Sequence, residues 1–375
     1  MSETAGSATV TNRRPRQPGS RPGRLAGLDL ARGLAVFGMF AAHLGPDPEV
    51  GGPVGAAMRL AHGRASALFA VLAGCSLVLL AGRRPRTRRD TRRTATGIAV
   101  RAVLLIALGT ALDALDPPIT VILTAYGAYF LLALPLLRLP AAPLAGLALT
   151  WAVLAPQLSY ALRTAGAAEL LPQRLAEPLL TGVYPAATWM PFVLAGMALA
   201  RFDPSRPTVR RRAATVGAVL LVLGYGASWL AVRLLGTAAP EEGSGVVDPG
   251  DPAGLLGAAP HTGTTFEVLG ALGFALLVVA GCLELTARPG GAEGAGTAAV
   301  AGVAAVGRLS LTAYVAHILL VALLGIGLDP GPPLPLFASF VAGTLVAAVL
   351  WTARFARGPL ETVMHRAAGL SGLVP

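Results

Sequence analysis

Apolar residues in this chain come in runs of roughly twenty, separated by short charged or Pro/Gly-rich punctuation, and that pattern leaves few folds open. Twenty residues of α-helix rise ~30 Å, the thickness of a bilayer's hydrocarbon core. A soluble helical repeat would carry amphipathic stripes instead. Charged residues are 13% of the chain, hydrophobic ones 54%, and mean hydropathy is +0.65, whereas soluble domains average about 25% charged. The expected fold is all-α: a polytopic membrane protein with about ten transmembrane helices around an internal cavity. The spans are expected near 26–45, 62–82, 96–115, 118–137, 142–160, 186–201, 213–235, 266–286, 305–326 and 334–353.

All thirty basic residues are arginine, and their distribution orients the chain. With the N-terminus inside, Arg59, Arg64, Arg163, Arg174 and Arg233 fall outward and the other 25 inward, as the positive-inside rule expects. The net charge of +11 therefore follows membrane topology and does not point to nucleic acid. An even number of spans returns the C-terminus to the cytoplasm of a multi-pass plasma-membrane protein. The organisation expected is a disordered basic cytoplasmic tail over 1–24, a transmembrane domain over 25–357 and a cytoplasmic tail over 358–375. The arginines before the first apolar run resemble a signal-peptide n-region. That run, however, exceeds a 7–15-residue h-region and contains Asp29 and Arg32, so a retained helix is expected. Residues 161–185 are expected as an interfacial helix and residues 236–264 as a Gly/Pro-rich acidic outer loop. Cys75 and Cys282 fall in apolar spans and read as small core residues.

The first span, DLARGLAVFGMFAAHLGP (29–46), holds an acid, an arginine and a histidine. Charges inside hydrocarbon cost at least ~2.5–3.5 kcal/mol each and usually face a cavity or a partner. At 100° per residue, the eleven steps from Arg32 to His43 return to within ~20° of one face, and the fourteen from Asp29 end ~40° off it. The stripe covers ~21 Å of rise and reads as the lining of one path across the bilayer.

His43 and Asp29 are the catalytic candidates. A neutral imidazole at His43 can accept a proton from a hydroxyl or amine; the alternative is an interfacial histidine bonded to a neighbouring helix. Asp29 and Arg32 are spaced as an ion pair, and Arg32 also suits a phosphate or carbonyl ligand. A second cluster, Arg59, His62 and Arg64, opens the next span, where His62 and Arg64 either flank His43 or sit at headgroups. Ser310, Tyr314 and His317 share a face of the ninth span, which either lines the cavity or bonds across helices. His261 and His365 are in loops and receive no role. The arginine run 83–93 reads as a topology anchor. The sequence has no Walker loop, no GxGxxG before a helix, no HExxH and no Cys/His metal spacing; no metal is expected.

Asp29, Arg32-Gly33 and a histidine ten residues beyond that glycine resemble the first helix of acyltransferase family 3, the integral-membrane O-acetyltransferases, where that histidine is held to be catalytic. Phe69–Gly74 (FAVLAG) resembles the family's Phe-x-x-Leu-Ser-Gly segment. Ser310, Tyr314 and His317 are similar to its late Ser-Tyr-Ser-x-Tyr-x-x-His element. Over residues 24–366 the chain is also similar to bacterial proteins related to the catalytic domain of heparan-α-glucosaminide N-acetyltransferase, chiefly through GRLSLTAY (307–314) and GPLE (358–361). In that group the position of His43 is nearer Asn and the histidine lies in the outer loop, so the base stays open between His43 and His62.

The resemblance implies a membrane acyltransferase using acetyl-CoA or another acyl-CoA as donor, with no metal. Its acceptor would be a hydroxyl or amine of an extracytoplasmic glycan, lipid or metabolite. Arg32, His62, Arg64, Tyr314 and His317 are the expected binding residues. Partners are the acyl-CoA, the acceptor, the bilayer and, as an option, a second copy in a homodimer; nucleic acid is not expected. The alternative is a transporter or exporter of a small anion or metabolite, for which intramembrane Asp, Arg and His are equally suited.

Overall fold

A computed structural model describes residues 25–82, 88–236, 246–287, 295–328 and 331–370. The expected N-terminal tail (1–24), Arg83–Arg86 of the arginine run, and Glu241 and Glu242 of the acidic loop lie outside the described residues. Among the described residues there is no β-strand. With hydrocarbon outside, backbone polar groups must pair within their own segment, and helices do this.

The helices, in chain order, are α1 (Ala26–Leu44), α2 (Gly52–Ala61), α3 (Arg64–Ala81), α4 (Arg88–Asp113), α5 (Leu123–Ala133), α6 (Ala141–Thr164), α7 (Gln173–Ala176), α8 (Ala186–Arg201), α9 (Pro207–Leu221), α10 (Ala227–Leu235), α11 (Thr265–Ala287), α12 (Ala295–Arg308), α13 (Ser310–Leu324), α14 (Leu334–Arg354) and α15 (Pro359–Leu370). Seven segments are long and apolar enough to cross a membrane, or up to nine if each of two bent pairs is one span. The segment expected at 118–137 forms the shorter apolar stretch Leu123–Arg138, below the ~17–25 residues a span needs.

Sequence punctuation sets the helix ends. Pro46 forces the residue before it out of helical backbone, and α1 stops with Gly45 extended at φ −73°, ψ 156°. Residues 161–185 are not one interfacial helix. They finish α6, then form α7 and a π-turn, Glu177–Thr181, before a 56° bend into α8 at the Pro185 junction. The expected ninth span is also broken: α12 and α13 meet at Leu309 at 78°. Residues 359–370, expected as tail, fold as α15.

The helices form an inner and an outer set. In α1, α3 and α11, 61–67% of the apolar window is buried, against 6% in α14 and 22% in both α4 and the α9–α10 rod. α8 is buried on every side from Thr188 to Ala200, as expected of a helix apolar all round. Glycines bring this core together. A Cβ on Gly74 would lie 2.0 Å from the Val193 carbonyl oxygen, and one on Gly196 would lie 1.9 Å from that of Val71. α3 and α8 therefore pack backbone to backbone, as small residues allow where no water drives helices together. α1 and α12 do the same: a Cβ on Gly33 would meet the Val303 oxygen at 2.0 Å, and one on Gly307 the Asp29 oxygen at 1.7 Å.

Candidate functional site

α1 runs between two cavities, and its two polar ends face different ones. The first, about 500 Å³, is lined by Arg32, Arg101, Arg308, Arg357, Tyr314 and His365, among others. The second, about 770 Å³, is lined by His43, His62, His261, Tyr184, Ser66 and Asp47, among others. Met39 lines both. The single path expected from the α1 stripe is thus two chambers meeting at a flexible thioether. Tyr126, on the arginine side, donates to the Ser66 carbonyl on the histidine side at 3.2 Å, so a hydrogen bond crosses the same wall.

At the arginine end, Asp29 is buried and accepts from Arg32 Nη1 at 2.9 Å. Arg32 Nη2 donates to Ser76 Oγ at 2.9 Å, and Ser76 in turn donates to the Leu72 carbonyl. Asp29 therefore fixes Arg32 and does not reach His43, fourteen residues along the helix. As a catalytic candidate it stands apart from the histidine; as an anchor it sets a cation on the cavity wall.

Around that cation the fold adds others that the sequence reading took for topology signals or left unassigned. Arg101 comes from α4, Arg357 from the turn before α15, and His365 from α15. His365 is held below the ordinary histidine pKa by burial first, then by Arg357 and Arg101. Among the described residues Glu361 is the one carboxylate on this wall, and it is already engaged. Its Oε1 accepts from Leu311 N (2.8 Å) and Thr312 N (3.1 Å), and its Oε2 from Thr312 Oγ1 (2.6 Å). Glu361 thus caps α13 after the 78° break. The two motifs GRLSLTAY and GPLE, fifty residues apart, meet in this cap. Four arginines, set against Glu361 and the Asp29 that pairs with Arg32, leave the cavity net cationic.

At the other end, His43 Nδ1 lies 3.1 Å from His317 Nε2 with the rings stacked at 9°. His317 is buried (1% exposed), touches Phe40 and Tyr314, and has no partner for Nδ1. Tyr314, whose hydroxyl accepts from Ile122 N at 3.1 Å, lines the arginine cavity. The series Tyr314, His317, His43 therefore runs from one chamber to the other. Two neutral imidazoles in this geometry share one proton along the bond. When it sits on His43 Nδ1, His43 Nε2 carries the lone pair.

His62 lines the histidine cavity with His43. Arg59 and Arg64 do not. Arg59 donates to the Pro48 carbonyl at 2.6 Å. Arg64 donates to Tyr225 Oη at 3.0 Å and lies over that ring at 4.6 Å. Cys75 and Cys282 are both buried and free, and Cys75 Sγ donates to the Gly196 carbonyl.

The sequence reading left out His261, on the wall of the histidine cavity. A signal was present. Thr264-Thr-Phe-Glu267 is a capping-box pattern, and Glu267 N does donate to Thr264 Oγ1 at 3.0 Å. That box marks the residues before it as a built entry to α11 rather than free loop.

Residues 25–352 match the acyltransferase family 3 model, described as an acyltransferase domain. No curated protein matches the chain.

Proposed function

The chain belongs to acyltransferase family 3, and on that premise we propose that it moves an acetyl or longer acyl group from acyl-CoA to a hydroxyl or amine of an extracytoplasmic glycan, lipid or metabolite. The observation that carries this reading is the pair of unlike chambers on α1, one cationic and one lined by histidines, abutting at Met39. In this reading Arg32, Arg101 and Arg357 hold the donor's phosphates. The acyl-bearing arm follows α1 for the ~16 Å between Arg32 and His43. The arginine distribution supports an arginine cavity open to the cytoplasm of a plasma-membrane protein with both termini inside.

The chemistry follows from the imidazole pair. His43 Nδ1–H donates to His317 Nε2, which leaves His43 Nε2 basic. Nε2 takes the proton from the acceptor's O–H or N–H as that atom bonds to the thioester carbonyl carbon. The tetrahedral centre collapses, the C–S bond breaks, and His43 returns its proton to the departing thiolate. His317 touches neither substrate and acts by fixing the His43 tautomer and ring.

Purified protein given radiolabelled acetyl-CoA and cell-envelope extract tests this. Label transferred to a glycan, lipid or metabolite by the wild type and lost in His43→Ala, with membrane insertion intact, is the expected result. Turnover retained in His43→Ala removes the role of His43. Solute flux in proteoliposomes without label transfer supports the transporter instead. Arg32→Ala is expected to weaken CoA binding by calorimetry more than acceptor binding.

A further inference from the structure

Both chambers reach solvent at their far ends. Exposed Arg357 and His365 line the arginine cavity, and exposed Asp47 lines the histidine cavity. The wall between the two is thin. On α3, Ser66 lines the histidine cavity and Phe69 the arginine cavity, and three residues of helix rise only ~4.5 Å. Before α5 the chain changes sides between Thr120 and Ile122. On α1, Met39 alone among the described residues lines both cavities. The partition is therefore a single layer of side chains.

Much of that layer is fastened. Tyr126 is tied to the Ser66 carbonyl (3.2 Å), and Tyr314 receives the Ile122 N–H (3.1 Å). Beside Met39 the helices touch: a Cβ on Gly38 would lie 2.8 Å from the Ala65 Cβ, so α1 has no room to shift towards α3 there. The Met39 side chain has no polar bond to hold it, and it is unbranched with three rotatable bonds. A buried methionine ordinarily fills a gap in packing. This one, 3% exposed, has a cavity on either side, so the space for it to swing into already exists.

We propose that the Met39 side chain is the gate between donor and acceptor, and that its closed position keeps the donor's thioester from water; this rests on the acyltransferase reading above. The need for a gate is chemical. His43 lines a chamber open to solvent, and a base that activates a hydroxyl also activates water. With water as acceptor, its oxygen bonds to the thioester carbonyl carbon, the C–S bond breaks, and the water's proton passes through His43 to the thiolate. Free acid and CoA thiol result, and the donor is lost. A site closed to water suppresses that side reaction. Met39 yields as the acyl-bearing arm advances along α1 from Arg32, so the wall opens only while the arm fills the opening.

The full-length protein in nanodiscs, given acetyl-CoA without acceptor and assayed for released thiol, tests the gate. Met39→Ala is expected to raise hydrolysis at least ~10-fold over wild type. Met39→Phe, which overfills the layer, is expected to cut acceptor-dependent transfer at least ~10-fold while CoA affinity by calorimetry stays within ~3-fold. Hydrolysis unchanged in Met39→Ala, or full transfer in Met39→Phe, overturns the proposal. A labelling arm reads the wall without the chemistry. Ala42→Cys places a thiol on the histidine cavity, and the two native cysteines are buried. An impermeant methanethiosulfonate, applied to reconstituted vesicles from each face in turn, is expected to reach that thiol from one face when Met39 is present and from both in Met39→Ala. Access from both faces with Met39 present, or from one face in Met39→Ala, also sinks the gate. The expected labelling in a wild type that neither transfers nor hydrolyses sinks the acyltransferase reading and leaves the gate.

Discussion

Replacing His317 isolates what the buried imidazole does for His43. His317 Nε2 lies 3.1 Å from His43 Nδ1, so a basic Nε2 on His43 depends on His317 as acceptor. His317→Phe keeps a ring against Phe40 (4.8 Å between centroids) and Tyr314 (5.2 Å) but removes the acceptor. A neutral hydrogen bond nets ~1 kcal/mol, and an orphaned buried donor costs ~1–3 kcal/mol. The His43 ring escapes that cost by changing tautomer or turning, either of which displaces the lone pair that serves as base. At ~1.4 kcal/mol per decade, kcat should fall ~10–100-fold, with folding weakened by no more than ~1–3 kcal/mol. His317→Gln restores a carbonyl oxygen and should bring kcat to within ~10-fold of wild type. The assay is labelled acyl transfer at saturating acceptor across about pH 5 to 9, with melting temperature read alongside. A positioning role lowers kcat and alters the pH profile while leaving both KM values in place. Full turnover in His317→Phe, or equal impairment in Gln and Phe, would refute the tautomer argument.

Three further outcomes follow from other parts of the fold. Glu361→Ala removes three hydrogen bonds of 2.6–3.1 Å from the start of α13 and should cost ~2–3 kcal/mol; an unchanged melting temperature would show that the cap is not holding α13. Gly196→Ala would set a Cβ 1.9 Å from the Val71 oxygen and should destabilise by ~1–3 kcal/mol, whereas Gly343→Ala on α14 meets open space and should not; equal melting of the two would count against backbone-to-backbone packing of α3 and α8. Burial lowers the folded pKa of His261 from 6.5 to about 4. Between those values the unfolded chain binds the extra proton, so stability falls as pH drops, by about 3 kcal/mol in total. His261→Asn should flatten that part of the profile; an unaltered slope would contradict the assignment.

The register of the first helix was legible because a helix repeats every 3.6 residues: Asp29 and Arg32 do pair, and His43 does reach a cavity. The resemblance pointed to Tyr314 and His317, but not to the bond that ties His317 to His43, because α1 and α13 are 274 residues apart at those positions. Arg64 was grouped with His62 by sequence adjacency. His62 ends α2 and Arg64 opens α3, and Gly63 between them, at φ +68°, turns the chain so that Arg64 goes to Tyr225 instead. His261 and His365 looked like loop residues, since local polarity says nothing about which cavity a loop folds against.

Hydrophobic run length alone determined that this chain is a bundle of membrane-spanning helices, because hydrocarbon leaves the backbone no other partner than itself. It also marked the polar stripe on α1. Tertiary structure decided that the stripe serves two chambers, that Glu361 closes the helix break at Leu309, and that His43, His62 and His261 share a wall. Those depend on close approach between segments far apart in the chain, set by glycines at the contacts and by the bends between helices.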